Sequence, residues 1–328
     1  MNGMAAALAA AARDVQAIAA LTDGRVALDA AALLDRSDAI PLAPPGPVSA
    51  NGSCRILRAA DGWIAANLPR EDDFDLVPAW TGCAFGDPPW AAVEAAARSE
   101  PAAEFVAHGA LLGLAVARLG EAAPSPPPRL RPAGARKGPL GKTLLVLDLS
   151  TLWAGPLCAG LLAQAGHEVR KVESMTRPDP LARSAPAHDA RLNGLKRRES
   201  IAFTAAALRP LMAQADIIVT SARPRAFEAL GLGPDALFAM KPHAIWIAIT
   251  GHGWSGAAGL RTGFGDDAAV AGGLVDWQGG RPVFAGDALA DPLTGLGAAR
   301  AALEAIHDGG GVLIDMALAQ TAARAATA

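Results

Sequence analysis

The sequence predicts an α/β fold: a mainly parallel sheet with crossover helices, plus a smaller α/β domain. Three observations predict it. Through the C-terminal half, short apolar runs alternate with helical patterns, as in a chain of strand–helix–strand units. A proline-rich stretch separates that half from the first. The first half carries a strand pair of its own after an alanine-rich start.

In the second half, TLLVLDLS (143–150) reads as a buried strand, and a helix begins near Gly155 and Pro156. EVRKVE (168–173), ADIIVT (215–220) and HAIWIAIT (243–250) repeat the theme. The stretch from Asp291 to His307 reads as a long amphipathic helix, and GVLIDM (311–316) as a further strand. Crossover connections of this kind give parallel neighbours, and ligands in such sheets collect at the carboxyl ends of the strands. The first segment opens with an alanine-rich helix. SCRILRA (53–59) and GWIAANL (62–68) read as strands joined by a turn at Ala60, Asp61 and Gly62. Two or three helices are expected between Glu71 and Gly109, then an apolar stretch around Leu114 to Ala117. Closely spaced prolines from Pro124 to Leu140 fix dihedrals and remove amide donors, so that stretch is expected in neither a helix interior nor a sheet. The resulting division is a small α/β domain over 1–123, a linker over 124–140 and the larger domain over 141–328.

Composition narrows the function. Lysine and arginine total 29 against 32 acidic residues, a formal net charge of -3. That balance gives no electrostatic reason to expect nucleic acid or an anionic membrane as partner. Cys54, Cys83 and Cys158 are far apart and odd in number, so they predict neither a disulfide framework nor a zinc site. A reduced, cytoplasmic setting is the simplest expectation. The apolar start lacks a basic flank and is broken by Arg13 and Asp14, and no uninterrupted apolar run reaches the ~18–20 residues of a membrane span. No G-x-G-x-x-G directly follows the first strand of the second half, and there is no G-x-x-x-x-G-K-[ST], no G-x-S-x-G and no H-E-x-x-H. The six histidines show no metal-ligand spacing.

Three local features bear on chemistry. Asp291 precedes Pro292 at a helix start, which reads as an N-cap aspartate with proline in the first helical position. The same location keeps a carboxylate ionised and able to act as a nucleophile, and position alone does not choose between these roles. Asp266 and Asp267 are adjacent, and like charges disfavour joint burial, so they read as a solvated turn or helix start. Lys196, Arg197 and Arg198 form a basic run, with Arg177, Arg183, Arg223 and Arg225 after other strands. Such runs are usually solvated faces, yet these follow strand ends, where a phosphorylated ligand would lie. Gly309 to Gly311 lead into a strand and read as a helix-to-strand turn, not a phosphate cradle.

Several stretches, in order, resemble the family III CoA-transferases, the group that includes formyl-CoA and carnitinyl-CoA transferases and methylacyl-CoA racemases. VLDLSTLWAGPLCAGLLAQAGHEVRKVES is similar to the family's opening strand, A-G-P turn, helix and K-V-E. LNGLKRRESIAF resembles its N-x-x-K-R-S segment, and ADIIVTSARPRAFEALGLGPDAL the stretch carrying R-P and L-G-L. IWIAITGHGWSGAAGLRTGFGDDAAVAGGLV resembles the strand and G-F/Y region that follow. VFAGDALADPLTGLGAARAALEAI then matches the segment holding the family's catalytic aspartate, which falls on Asp291.

The resemblance implies a Rossmann-like large domain with a small domain, a homodimer, and acyl-CoA:carboxylate CoA transfer through a covalent intermediate on Asp291. It implies no tightly bound cofactor, with CoA and acyl-CoA as substrates and a carboxylic acid as acceptor. Ala154, Gly155, Pro156, Arg183, Lys196, Arg197, Arg223 and Arg225 are the residues it assigns to CoA. The departures are local and global. Trp153 replaces a polar residue before A-G-P, N-F-R-P reads Ser221, Ala222, Arg223 and Pro224, and a later CoA-contacting arginine falls near Ala229. The family's glycine-rich covering loop has no clear counterpart. Small-domain-like sequence precedes the Rossmann-like part, as in a circular permutation or a shortened paralogue. Two other readings fit the same resemblance. One is a 2-methylacyl-CoA racemase or epimerase, although Phe264 and Gly265 occupy the region where its histidine is expected. The other is a catalytically degenerate CoA-binding partner of a second subunit.

Overall fold

The strands arise where β-branched and aromatic residues form runs that can be buried on both faces. A computed structural model describes residues 2–130, 140–141 and 143–327 of the chain. Its strands are β1 (Cys54–Arg58), β2 (Trp63–Asn67), β3 (Ala115–Arg118), β4 (Arg129–Leu130), β5 (Leu145–Leu149) and β6 (Glu168–Ser174). They continue with β7 (Arg197–Ile201), β8 (Ile217–Thr220), β9 (Ile245–Thr250), β10 (Val275–Gln278), β11 (Arg281–Phe284) and β12 (Val312–Ala317). The large sheet has the order β4-β12-β9-β8-β5-β6-β7 and is parallel except where β4 meets β12.

Side-chain alternation sends each strand into two cores. Ile217 and Val219, Ile245, Ile247 and Ile249, and Val312, Ile314 and Met316 face one side. Ile218, Trp246, Ala248 and Leu313 face the other. Helices Gly3–Leu21, Ala154–Gln164, Ala290–His307 and Leu318–Ala326 cover the first side. Helices Ala205–Gln214, Pro224–Ala229 and Pro234–Met240 cover the second. This is the expected α/β architecture, with a mainly parallel sheet between helical layers.

The small sheet has the order β1-β2-β3, all antiparallel. Four helices fill the chain between β2 and β3, where two or three were expected; the two short ones, Glu71–Asp75 and Val77–Thr81, meet at Leu76. Their core centres on Trp80 stacked on Phe105, 4.4 Å between ring centroids. A third sheet, the hairpin β10–β11, turns at Gly279 and Gly280 and had no counterpart in the sequence reading.

Two expectations need correction, and the N-terminal helix adds a qualification to the absence of an uninterrupted apolar run. The apolar helix Gly3–Leu21 is long and apolar enough to cross a membrane by length and composition, because alanines sustain its hydropathy across Arg13 and Asp14. Here Ala7, Ala11 and Ile18 are buried in the core shared with Ala290–His307, and Asp14 pairs with Arg300 at 3.1 Å. The proline-rich stretch does join a sheet: Arg129 and Leu130 pair with Ile314 and Leu313. An edge strand tolerates this because only one of its sides needs amide donors. Residues 131–139 of the expected linker lie outside the described residues. Finally, Leu289 caps the long helix, so Asp291 sits inside its first turn and not at the cap. Pro292 is tolerated there because first-turn amides lack intrahelical acceptors.

The long helix approaches Ala154–Gln164 closely at Gly295. A Cβ added to Gly295 would stand 2.7 Å from the Ala154 carbonyl oxygen and 2.9 Å from Leu157 Cδ2. At Gly297, two residues on, the nearest atom would be the flexible Met316 Cε at 3.3 Å. Gly295→Ala is therefore expected to lower stability by about 1–3 kcal/mol through overpacking. Gly297→Ala should be neutral or stabilise by up to about 1 kcal/mol through helix propensity. Chemical denaturation of the two variants checks the contrast; equal effects would remove the close contact as the constraint.

Candidate active site

The carboxyl ends of β5, β8 and β9, the loop after β6, and the start of the long helix enclose a cleft of about 530 Å³. That is within the usual range for a ligand pocket, roughly 300–1,000 Å³. Its wall includes Thr151, Leu152, Ala154 and Gly155 after β5, and Ser221 to Pro224 after β8. Gly251, Gly253 and Thr262 to Phe264 follow β9, and Asp291 closes the floor. Arg70, Arg177, Arg223 and Arg261 stand around it.

Buried ion pairs fix the turn after β5. Lys171 Nζ donates to the Ser150 carbonyl at 2.9 Å and to Asp179 at 3.1 Å. Asp179 in turn accepts the Leu152 N–H at 3.2 Å. Leu152 is held at φ 67°, a conformation costly for a residue with a Cβ, as found where surroundings over-determine a functional turn. Beneath it, Lys196 Nζ donates to Asp148 at 2.7 Å, the Pro156 carbonyl at 2.7 Å and Asn193 at 2.8 Å. Burial alone would raise the Asp148 carboxyl, but Lys196 and Lys171 outweigh it and hold it below its ordinary value.

Asp291 is only partly exposed, and its environment is mostly acidic. Burial pushes its pKa up to about 7; Arg36 opposes this, while Asp266, Asp267 and Asp287 add to it. The ionised N-terminal carboxylate expected from sequence is thus corrected: desolvation and three acidic neighbours outweigh the helix end. Asp266 and Asp267 are also buried, at 3% and 0% exposure, contrary to the solvated turn expected for them. Hydrogen bonds make this burial tolerable. Asp266 accepts from Asn51 Nδ2 and from the Ala288 N–H, both at 2.8 Å. Asp267 Oδ1 accepts from Asn67 Nδ2 at 2.8 Å and from the Phe264 N–H at 3.0 Å. Burial still raises Asp266 to about 6, helped by Asp287, and Asp267 to about 7. Arg36 grips Asp287 with two hydrogen bonds, at 2.5 and 3.1 Å, and lies 4.6 Å over the Trp153 ring. Gly265 gives the Asp291 carboxyl its room. A Cβ there would meet Asp291 Oδ2 and stand 2.5 Å from the Ala288 carbonyl oxygen.

Of the residues singled out in the sequence, Asp291, Ala154, Gly155 and Arg223 meet on the cleft wall. Pro156 is buried, and its carbonyl serves Lys196. Lys196 spends all three of its N–H directions on partners inside the chain, so none remains for a phosphate. Arg197 lies in the edge strand β7, exposed, and Arg183 and Arg225 are exposed beside the cleft residues without lining it. The sequence reading did not single out Arg36, Arg70, Asn51, Asn67 or Asp287. Their roles depend on contacts 200 or more residues apart in sequence or on a single side chain, and neither leaves a local signal. Arg261 ties the cleft to the small sheet, donating to the Val116 carbonyl at 2.8 Å and to Glu121 at 2.6 Å.

Comparison with known proteins matches this geometry to a family. Residues 142–328 fit the model of CoA-transferase family III. An acyl-CoA transferase of Fusarium pseudograminearum is 34% identical over 202 residues, covering 54% of this chain and 44% of that protein. The human succinyl-CoA:glutarate CoA-transferase is 31% identical over 190 residues, covering 52% and 43%. A crystal structure of a CAIB/BAIF family protein from Brucella suis superposes with a TM-score of 0.51 at 30% identity, covering 55% of this chain and 53% of that one. The chain spans about half the length of the curated relatives it matches. The match runs through the whole parallel sheet from β5 onward and through the helix that carries Asp291: the chain belongs to CoA-transferase family III.

Proposed function

We propose that the protein transfers CoA from an acyl-CoA to a carboxylic acid, with Asp291 as the reacting carboxylate. The observation that carries this reading is the placement of one partly exposed carboxyl at the floor of an arginine-rimmed cleft. The four arginines differ in what they can offer. Arg70 is engaged with Asp73 and Arg261 with Glu121. Among the described residues, the guanidiniums of Arg177 and Arg223 form no salt bridge. Burial lowers the pKa of Arg223, and the charges of Arg225 and Arg70 lower it further. An anion placed between them would relieve that repulsion, which suits the phosphates of CoA. Alanine, glycine and leucine around Asp291 suit an acyl chain and keep water scarce.

In this reading, an Asp291 carboxylate oxygen attacks the thioester carbonyl and expels the CoA thiolate, giving a mixed anhydride. The thiolate attacks the aspartyl carbonyl, releases the donor as a carboxylate and leaves an aspartyl-CoA thioester. The acceptor carboxylate attacks that thioester, expelling thiolate and forming a second anhydride. Thiolate attack on the acceptor's carbonyl then yields the new acyl-CoA and restores Asp291. Relatives named as succinyl-CoA–L-malate CoA-transferase subunits and as a hydroxy-acid CoA-transferase support a carboxylic acid as acceptor. We read the assembly as a homodimer, closed two-fold dimers being the commonest oligomers; relatives named as alpha and beta subunits favour a second subunit as the alternative. We read the order of small sheet first and parallel sheet second as a rearrangement of the family's usual chain order.

Mass spectrometry after incubation with a panel of acyl-CoAs, with hydroxylamine trapping, tests the central step. An acyl or CoA adduct on Asp291, lost in Asp291→Asn, is the expected result. CoA binding without any adduct would overturn the covalent reading and favour a racemase or a non-catalytic CoA-binding subunit. Only the ionised carboxyl attacks, so the rate of adduct formation is expected to rise with pH and level off above about 7. A rate that is flat from pH 5 to 8 would contradict the raised carboxyl. Loss of a charged hydrogen bond to phosphate costs about 1.5–3 kcal/mol. Arg223→Ala should therefore raise KM for acyl-CoA by roughly ten-fold or more while changing kcat little, as steady-state kinetics would report.

A further inference from the structure

Asp291 follows a turn that the chain would not adopt unaided. Ala288 is held at φ 45°, a left-handed conformation uncommon for a residue with a Cβ. Its N–H donates to Asp266 Oδ1 at 2.8 Å, and its carbonyl accepts the Asp291 N–H at 2.8 Å. The second bond ties the backbone of Asp291 to the strained residue, so relaxation of Ala288 carries Asp291 with it.

Two side chains hold this turn from outside, and both come from the segment between the first helix and β1. Arg36 grips Asp287, the residue before Ala288, through two hydrogen bonds. Its guanidinium also lies over Trp153, which caps the helix Ala154–Gln164. The second side chain is Asn51. Its oxygen accepts from the Ser49 hydroxyl at 3.0 Å and the Ser53 N–H at 2.9 Å. The amide nitrogen is thereby aimed at two carboxyls, Asp266 at 2.8 Å and Asp287 at 3.4 Å. The segment is anchored in turn: Leu34 is buried in the core, and Arg191 donates to both oxygens of Asp38 at 2.8 and 2.6 Å. Arg36 and Asn51 both precede residue 142, where the family match begins, and neither lines the cleft.

We propose that Arg36 and Asn51 form a clamp on the turn before the long helix that fixes where the Asp291 carboxyl stands, so that the segment ahead of the small sheet completes the active site. Both are positioning residues: they act through Asp287, Asp266 and Ala288, not on substrate. An ion pair that served the fold alone would have a different signature. Its loss would reduce the amount of active protein and leave the rate constant of the remainder unchanged. Loss of a clamp misplaces the reacting oxygen, and a displacement of about 1 Å costs on the order of 100-fold in rate.

The kinetic consequence rests on Asp291 being the reacting carboxylate. Arg36→Met combined with Asp287→Ala removes one charge of each sign, so the net charge around Asp291 stays the same. Neutral replacement of both members of a buried pair also costs little stability. In a single turnover at saturating acyl-CoA, the first-order rate constant of adduct formation in this double variant should fall on the order of 100-fold. The acyl-CoA concentration giving half the maximal rate should not change. A smaller amplitude at the unsubstituted rate constant would make the pair an element of the fold alone and overturn the clamp. Asn51→Ala keeps the ion pair and should slow the same step by roughly five-fold; it decides should the double variant fail to fold. Position is also read without acyl-CoA. In protein carrying [4-¹³C]aspartate, the Asp291 carboxyl signal, identified by its loss in Asp291→Asn, should shift or split in both variants. An unchanged signal would overturn the clamp. A moved signal with no adduct even in the unsubstituted protein would leave the clamp standing and remove the transferase reading instead.

Discussion

The contact between two alanine-rich helices at Gly295 is the constraint on which the rest of the molecule turns. Ala290–His307 lies across Ala154–Gln164 so closely that the Ala154 carbonyl occupies the space of a side chain. Ala298, Ala299, Ala301, Ala302 and Ala305 line the buried faces of the long helix, and small residues allow such an approach where leucine would hold the axes further apart. The consequence is positional. The first turn of one helix is pressed against the strand-to-helix turn of the other, and Asp291 meets the carboxyl edge of the sheet at Leu152, Ala154 and Gly155.

Charge is distributed unevenly across this frame. Beneath the cleft, Lys196 with Asp148 and Lys171 with Asp179 are buried as matched pairs, each lysine also satisfied by a carbonyl. Such pairs are weak evidence for stability, but breaking one is costly, so they hold the β5 turn and its strained Leu152 in place. Around Asp291 the balance fails: Asp266, Asp287 and Asp291 share Arg36, and Asp267 adds a further carboxyl beside them. The excess is absorbed by neutral donors, Asn51, Asn67 and two backbone amides, and by raised proton affinity. A carboxyl that titrates near neutrality is both a better base and a better nucleophile than one at its ordinary value, provided it still ionises at working pH.

Much of the fold is legible in the sequence because the strands of the large sheet are buried on both faces. That requirement writes continuous runs such as IWIAIT and VLIDMA, which few other structures would need. The hairpin β10–β11 was not recognised: VDWQGGRPVF carries a Gly-Gly turn, but its strands are short and interrupted by Pro282. The site was less legible. Asp291 and the A-G-P turn stand in recognisable segments, whereas Asp266 and Asp267 look solvent-exposed to any rule based on adjacent charges. What makes them buriable is Asn51 and Asn67, 200 or more residues away in sequence, and no local pattern encodes that. Lys196 misleads for the opposite reason. It sits in a basic run, yet its partners turn it inward while Arg197 and Arg198 stay at the sheet edge.

The small sheet matters to the cleft through two arginines. Arg70 reaches it from the turn after β2, held by Asp73 and the Gly113 carbonyl. Arg261 reaches the Val116 carbonyl in β3 from the loop after β9. Both arginines on the small-sheet side are already neutralised by carboxylates, and both that are not, Arg177 and Arg223, belong to the parallel sheet's own loops. The positive field that would draw a phosphorylated ligand therefore originates at the carboxyl edge, while the small sheet closes the cleft with paired charges. On the proposed reading, this separation orients the ligand. Phosphates are held where unpaired guanidiniums lie, and the thioester is left at the floor beside Asp291, where Arg36 is committed to Asp287 and leaves the carboxyl free to react.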